Sequence, residues 1–478
     1  MIHQFANNGL DIILDVNSAA VHLVDETTAA LVHILTDRQE SYTADQMRAP
    51  ATRKFLEEAL PETAPEEIAE ITDELAELIR QGRLFSRDPY EALVPKVMQN
   101  QTVVKALCLN VAHDCNLACK YCFASEGEYH GNRGLMSAEV GCKALDFLVK
   151  ASGSRRNLEV DFFGGEPLLA WEAIKEIVAY GRSLEEKTDK KFRFTMTTNG
   201  VLLSREVEEF ANREMHNVVL SLDGRKQIND WNRPFRGGQG SYDYIVPRLQ
   251  SMARARGGRQ YYLRGTFTRR NLDFVEDIKH FYDLGFREIS MEPVVTDDER
   301  FMIREEDLPQ IKAQYDELVR FMLEKKKEGD PFTFFHFMID LEGGPCVYKR
   351  MSGCGAGTEY LAVTPWGELY PCHQFVGQEG FLMGSVDEGI THPEIVEKFR
   401  EVNLYTKEDC RECFAKFYCG GGCMANAFQE SGELDGTYAV GCELERKRVE
   451  CAIMLKVAEN FGEGFEDSVE SDENASSD

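Results

Sequence analysis

"ALCLNVAHDCNLACKYCFAS" (residues 106–125) sets the apolar run ALCLNVA directly before three cysteines, Cys115, Cys119 and Cys122. The apolar run reads as a strand. The cysteines then fall in the loop that follows it. Two thiols suffice for a disulfide and four close a zinc site. Three within eight residues fit neither, unless the fourth ligand comes from elsewhere. Thiolates also hold iron–sulfur clusters, and a cubane bound by three cysteines leaves one iron open to a small molecule. The alternative is three unrelated buried thiols.

Working outward, residues 105–330 alternate strand and helix patterns. After ALCLNVA come the strand candidates LEVDFFG, RFTMTTN, NVVLSLD, YLRGTFT and EISMEP, most of them separated by helical patterns such as SAEVGCKALDFLVKAS. That alternation predicts parallel βαβ units and an α/β fold, an incomplete (β/α)6 barrel. Barrels carry their chemistry at the C-terminal ends of the strands, which is where the cysteine loop falls. Towards the N-terminus, residues 9–25 read as a hairpin turning at Asn17-Ser18. Asp25 is placed to cap a helix, and Ile68, Ile71, Leu75, Leu78 and Ile79 share one face of another that stops at Gly82. Residues 1–87 are thus expected to form a small domain of a hairpin and three helices, with 88–104 as a linker. From 331 to 460 the regular alternation ends. Cysteines crowd there with glycine-rich segments such as CGGGCMAN, as in a domain organised by metal. Residues 461–478 are acidic and read as a disordered tail.

Composition narrows the function. The formal net charge of −28 argues against a general nucleic-acid binder, because phosphate binding needs a basic face. No apolar run is long enough to span a membrane. The N-terminus lacks the basic-then-apolar pattern of a secretory signal. A cytoplasmic protein is expected, in which the 14 cysteines serve as metal ligands before they serve as disulfides.

With these motifs assembled, CNLACKYCF resembles the C-x3-C-x2-C loop of the radical S-adenosylmethionine (SAM) enzymes. The resemblance implies that Cys115, Cys119 and Cys122 hold a [4Fe–4S] cluster whose open iron chelates SAM. Reductive cleavage of SAM then yields a 5′-deoxyadenosyl radical. Tyr121 would sit near the adenine. FFGGEPLL resembles the family's GGE motif, so Gly164, Gly165 and Glu166 would meet the methionine amino group. Glycine permits close backbone approach, and a carboxylate pairs with an ammonium. Asn199 in TTNG, with Ser221 and Asp223 in SLDG, would reach the SAM carboxylate and ribose. Taken singly, each of these polar residues suits a turn or cap equally well. Arg264 and Glu292, on later strands, are further candidates.

Cys354, Cys372, Cys410, Cys413, Cys419, Cys423 and Cys442 are spaced as in the seven-cysteine SPASM domain. That resemblance implies two auxiliary [4Fe–4S] clusters, making three in all. A zinc ribbon is the competing reading of the C-x2-C pair. By the family pattern Cys410, Cys413, Cys419 and Cys442 hold the outer cluster, and Cys354, Cys372 and Cys423 the inner one. The fourth inner ligand is Cys346 or an open site for a substrate thiol. Cys108, Cys142 and Cys451 fall outside the motifs and read as ordinary buried thiols.

The hairpin-then-helices order of 1–87 resembles the winged-helix-like, PqqD-like recognition element of ribosomal peptide maturases, where a leader peptide adds as a strand to the hairpin edge. LCLNVAHDCNLACKYCFAS, RRNLEVDFFGGEPL and GCGAGTEYLAVTPWGELYPCHQFVG resemble the maturases of SCIFF (six cysteines in forty-five residues) peptides. Those enzymes join cysteine sulfurs to threonine carbons as thioethers. The resemblance implies a cysteine-rich precursor peptide bound through its leader, an electron donor such as ferredoxin or flavodoxin, and no nucleic-acid or membrane partner. Two other readings stay open: an anaerobic sulfatase maturase making formylglycine, and a non-catalytic peptide-binding scaffold carrying structural clusters.

Overall fold

The computed structural model describes residues 1–38, 41–99, 103–129, 131–341 and 350–460. Cys346 and the acidic tail 461–478 lie outside the described residues.

The chain begins with an antiparallel sheet of β1 (Ile2–Asn7), β2 (Leu10–Asp15) and β3 (Ala20–Val24), in that order. The expected hairpin is β2–β3. The additional strand β1 joins through a two-residue turn at Asn8-Gly9, both with positive φ (47° and 77°). Asn-Gly is the residue pair such a turn favours, so the signal was present in the sequence as NNG. Helices at Glu26–Arg38, Ala44–Arg48, Pro50–Ala59 and Pro65–Arg80 follow, one more than expected. Successive strand residues point to opposite faces, and β2 uses both. Ile13 packs with Leu31, Leu35, Ile68 and Leu75 under these helices, whereas Ile12 and Leu14 join the main core of the molecule. The segment expected to be a linker contains a short helix, Val94–Gln99. Asp88 within it ties the sheet module to the C-terminal region by accepting from Lys416 Nζ at 3.1 Å and Tyr405 Oη at 3.0 Å.

Six strands form the parallel sheet of the barrel: β4 (Ala106–His113), β6 (Asn157–Gly164), β7 (Lys191–Thr198), β8 (Met215–Ser221), β9 (Tyr261–Phe267) and β10 (Glu288–Pro293). A short β5 (Gly134–Leu135) pairs antiparallel with the end of β4. Helices such as Ala138–Ala151, Trp171–Lys187 and Phe274–Asp283 cover the outside. Every residue of β4 is buried, as expected of a parallel strand covered on both faces.

The sheet continues beyond the six predicted strands. β11 (Thr333–Phe334) adds in parallel to β10, and β12 (Tyr360–Val363) adds in parallel to β4. β13 (Glu368–Tyr370), β14 (Gly384–Ser385) and β15 (Gly389–Ile390) extend that flank antiparallel. The cysteine-rich region is therefore built onto the barrel's own sheet. The final helix, Ala439–Asn460, packs along helix Leu308–Lys327 and against β1. No described helix is long and apolar enough to cross a membrane.

Candidate active site

The cysteine loop is shaped by three neighbours. A register shift between Asn110 and Ala112 ends the regular pairing of β4 with β6, and the chain turns out of the sheet. Segment 232–239 templates one side of the loop. Ala118 N donates to Pro234 O and Lys120 N to Asn232 O, both at 2.9 Å. Arg236 Nε donates to Cys115 O at 2.7 Å, and Lys120 and Arg270 each lie 3.8 Å from the Trp231 ring centre.

The Gly-Gly-Glu turn supports the other side. Gly165 N donates to Ala112 O at 2.7 Å and Glu166 N to Asp114 O at 2.9 Å. A Cβ on Gly164 would lie 2.3 Å from Ala112 O, and one on Gly165 would lie 2.1 Å from Asp114 O. The sequence reading assigned this close approach to the ligand. In the structure the two glycines are required by the cysteine loop's own backbone.

Cys115, Cys119 and Cys122 are half-buried side by side. Burial pushes the Cys119 thiol up to about 12; Arg233 opposes the rise, and the Cys122 and Cys115 thiols add to it. Glu166 is fully buried. It accepts from Thr198 Oγ1 (2.8 Å), Leu168 N (3.1 Å) and Asn199 N (2.8 Å), but burial outweighs these donors and raises its carboxyl to about 7. Asn199 turns its Nδ2 towards Cys115 Sγ (3.6 Å) and Asn116 Oδ1 (2.7 Å), so its amide braces the loop.

Asp223 is one of the three residues expected near the SAM carboxylate and ribose, with Asn199 and Ser221. It is fully buried behind the cavity wall, and its oxygens accept from Tyr121 Oη (2.6 Å), Asn232 Nδ2 (3.1 Å) and Thr266 N (3.3 Å). Its negative charge instead anchors Tyr121 and the buried Arg233, whose Nη1 donates to Tyr121 Oη at 3.1 Å. Sequence reasoning missed Arg233. The signal was a cation in WNRPFRGG shortly after SLDG, but its partners lie far away in sequence.

The remaining thiols gather in two further groups. Burial raises Cys372 to about 12, with the Gln374 amide opposing and Cys423 and Cys354 reinforcing. Burial likewise raises Cys410 to about 11, with Lys407 opposing and Cys442 and Cys413 reinforcing. Cys419 is raised to about 12 by burial, then by Glu445, Cys410 and Cys442. The ten motif cysteines that are described thus sort into sets of three, three and four. Cys451 is buried elsewhere, Cys142 is half-buried on helix Ala138–Ala151, and Cys108 is buried on β4 near Cys372 in a cluster against which Cys122 packs.

One cavity of about 560 Å³ connects the groups. Cys115, Cys119, Cys122, Glu166 and Ser221 line one end, and Cys419, Cys423 and Cys442 line the other. Among the described residues no three His, Cys, Asp or Glu side chains converge on a single ion position. Thiols grouped in sets of three and four suit a cluster, in which each iron takes one thiolate. The trio on the loop offers three thiols, the donor set of a cubane with one corner left for another ligand. Arg233 Nε, buried on the same cavity without a partner among the described residues, suits the carboxylate of an amino-acid ligand such as SAM.

Comparison with known proteins agrees with this geometry. Residues 109–289 match the radical SAM superfamily. The chain is 27% identical over 367 residues to the mycofactocin maturase MftC of Mycolicibacterium smegmatis, covering 74% of this chain and 86% of that protein. It is 24% identical over 372 residues to a cysteine-type anaerobic sulfatase-maturating enzyme of Clostridium perfringens, covering 73% and 96%. The crystal structure of Streptococcus suis SuiB bound to S-adenosylmethionine superposes with a TM-score of 0.52 at 16% identity, covering 92% of this chain and 98% of that one. Residues 109–289 are thus what the chain shares with the radical SAM superfamily, and the chain carries that superfamily's α/β fold.

Proposed function

We propose that the protein is a radical SAM peptide maturase that joins cysteine sulfurs to threonine carbons in a cysteine-rich precursor peptide. The observation that carries this reading is the single cavity reaching from the Cys115–Cys119–Cys122 loop to the SPASM-type thiols. A maturase needs its hydrogen-abstraction site and a sulfur-handling, electron-accepting site to face the same substrate. When bound, three [4Fe–4S] clusters and SAM supply one-electron reduction, a 5′-deoxyadenosyl radical and an acceptor for an electron.

The chain's own residues bind, orient and exclude water. Cys115, Cys119 and Cys122 hold the first cluster; Glu166 takes the SAM ammonium; Ser221 and Arg233 take its carboxylate. Cys354, Cys372 and Cys423 hold the inner auxiliary cluster, and Cys410, Cys413, Cys419 and Cys442 the outer one. Forming the thioether removes two hydrogens from the peptide. One leaves the threonine carbon as a hydrogen atom. The other leaves the cysteine sulfur as a proton, with one electron passing to a one-electron acceptor. The leader adds along β3, which pairs with β2 on one side only among the described residues, while β1 at the opposite edge is held by the body through His3–Glu450 (3.0 Å) and Asn7–Asp316 (2.7 Å).

The test is anaerobic. Reconstituted protein, SAM, dithionite and a cysteine-rich precursor peptide encoded beside the gene are combined, and the products are read by mass spectrometry. Loss of two hydrogens per cross-link with sulfur retained, together with 5′-deoxyadenosine, is expected. The sulfatase-maturating relative gives a second reading, formylglycine formation, which loss of sulfur from the peptide would favour. Unchanged peptide and no deoxyadenosine from protein loaded with its clusters would return the chain to the scaffold reading.

Glu166 gives this site a pH dependence. Its carboxyl sits at about 7, raised by burial, whereas pairing with the SAM ammonium requires the ionised form. SAM binding therefore releases a proton below pH 7. Affinity is expected to fall about tenfold per pH unit below 7 and to level off above it. Titrations of SAM between pH 6 and 8 check this. Glu166→Gln should bind weakly with a flat profile, and a flat wild-type profile would remove Glu166 from the ammonium site.

A further inference from the structure

Three arginines line the cavity, Arg233, Arg264 and Arg448. Two are already paired with protein groups, and of these Arg233 keeps its Nε for the SAM carboxylate proposed above. Arg233 is bound to Tyr121 and Asp223. Arg448 donates to Tyr315 Oη (2.9 Å), Met291 O (3.3 Å) and Glu292 Oε2 (3.4 Å). The Arg264 side chain has no hydrogen-bonded or ion-paired partner among the described residues and is exposed to the cavity.

The sheet register fixes its position. Arg264 on β9 stands beside Ser221 on β8 and Ser290 on β10, and two residues further on Thr266 stands beside Glu292. Side chains that pair across parallel strands project to the same face. Ser221, Arg264, Thr266 and Glu292 all line the cavity accordingly. The thiols of Cys115 and Cys119 feel the charge of Arg233. Arg264 instead acts on Glu292, on His336 and on His373, the residue next to Cys372. It therefore stands between the SAM end and the inner thiol group, on the path a substrate must take to touch both.

We infer that Arg264 and Glu292 form a main-chain subsite for the reacting segment of the peptide, Arg264 donating to its carbonyls and Glu292 accepting from an N–H. This rests on the peptide-maturase reading above. A segment that reacts through cysteine and threonine carries no side-chain charge, so its strongest recognisable groups are its amides. The guanidinium fork offers several donors in one plane and no acceptor. Glu292 supplies the missing acceptor one strand away. Arg448 and His336, each 3.4 Å from one of its oxygens, hold the carboxylate in place on the cavity wall. Arg264 is a positioning residue by this account: it sets which peptide atom faces the radical and does not take part in bond making.

The experiment uses the full reconstituted chain with SAM and the precursor peptide, comparing wild type, Arg264→Gln and Arg264→Lys. Three quantities are read: peptide affinity and KM, deoxyadenosine released per modified peptide, and SAM affinity. For R264Q the peptide KM should rise about tenfold or more, as for a lost charge-assisted hydrogen bond, and several deoxyadenosines should be spent per modified peptide. R264K should recover part of the affinity but little of the coupling, because it lacks the fork. Wild-type KM and coupling in R264Q would overturn the inference. So would a loss of SAM affinity as large as the loss of peptide affinity, which would make Arg264 a SAM ligand. A wild-type chain that binds the peptide without forming thioethers would fail the thioether reading alone, since the affinity comparison still reads Arg264.

Discussion

Cys115→Ala is expected to abolish reductive cleavage of SAM, with 5′-deoxyadenosine falling to the level of a protein-free blank. The effect should exceed the about 10–100-fold loss typical of residues one shell removed from a metal, because the variant removes a ligand itself. The loop is held by its backbone, through Arg236 to Cys115 O and through the amides of residues 118, 120, 165 and 166. The protein should therefore fold with the loop in place and lose iron at that site only. Iron analysis and the visible absorbance of the reconstituted protein check this against Cys142→Ala, a half-buried thiol outside all three groups. Deoxyadenosine formation by C115A above the blank would sink the assignment of the loop.

The second large effect is expected at a residue with no side chain. In Gly165→Ala the new methyl would lie 2.1 Å from Asp114 O, 2.6 Å from Asp114 C and 3.1 Å from Cys115 Cβ. Two of those atoms are backbone and the third belongs to a proposed ligand, so nothing flexible can yield. The loop must move, and the hydrogen bonds at 2.7 and 2.9 Å that join it to the turn are broken or stretched. The overpacking itself destabilises the fold by about 1–3 kcal/mol. Activity should suffer more, because a shift of about 1 Å in reacting groups lowers a rate about a hundredfold. Thermal unfolding and the rate of SAM cleavage, measured together, separate the two effects. A G165A variant that cleaves SAM at the wild-type rate would show that the loop does not depend on this contact.

Much of the barrel was readable because parallel strands are covered on both faces and appear as continuous apolar runs. All six strand candidates, from ALCLNVA to EISMEP, correspond to strands of the sheet. The loop trio Cys115, Cys119 and Cys122 was readable because its members lie within eight residues, whereas Cys354, Cys372 and Cys423, far apart in the chain, were grouped only by resemblance to a family pattern. What escaped were contacts set by distant pairings. Nothing near Tyr360 states that it will extend β4, and nothing near Arg448 states that it will contact Glu292 across the cavity. The polar residues at the strand ends illustrate the same limit. TTNG and SLDG were recognisable as motifs, yet only the folded environment turns Asp223 away from the cavity and assigns Asn199 to brace Cys115. Strand β1 is a different case. Its Asn8-Gly9 turn was in plain view, and giving that pair its due would have supplied the third strand.

The last helix, Ala439–Asn460, brings Cys442, Glu445 and Arg448 to the cavity, while Glu450 and Cys451 meet His3 and Asn7 of β1. The polypeptide is made from its N-terminus, so the first strand and the cysteine loop emerge long before the segment that completes both. Until that segment leaves the ribosome, the N-terminal sheet lacks part of its support and the cavity lacks part of its wall. A chain that stops short of this helix would carry the loop thiols Cys115, Cys119 and Cys122 without the wall that Cys442, Glu445 and Arg448 supply.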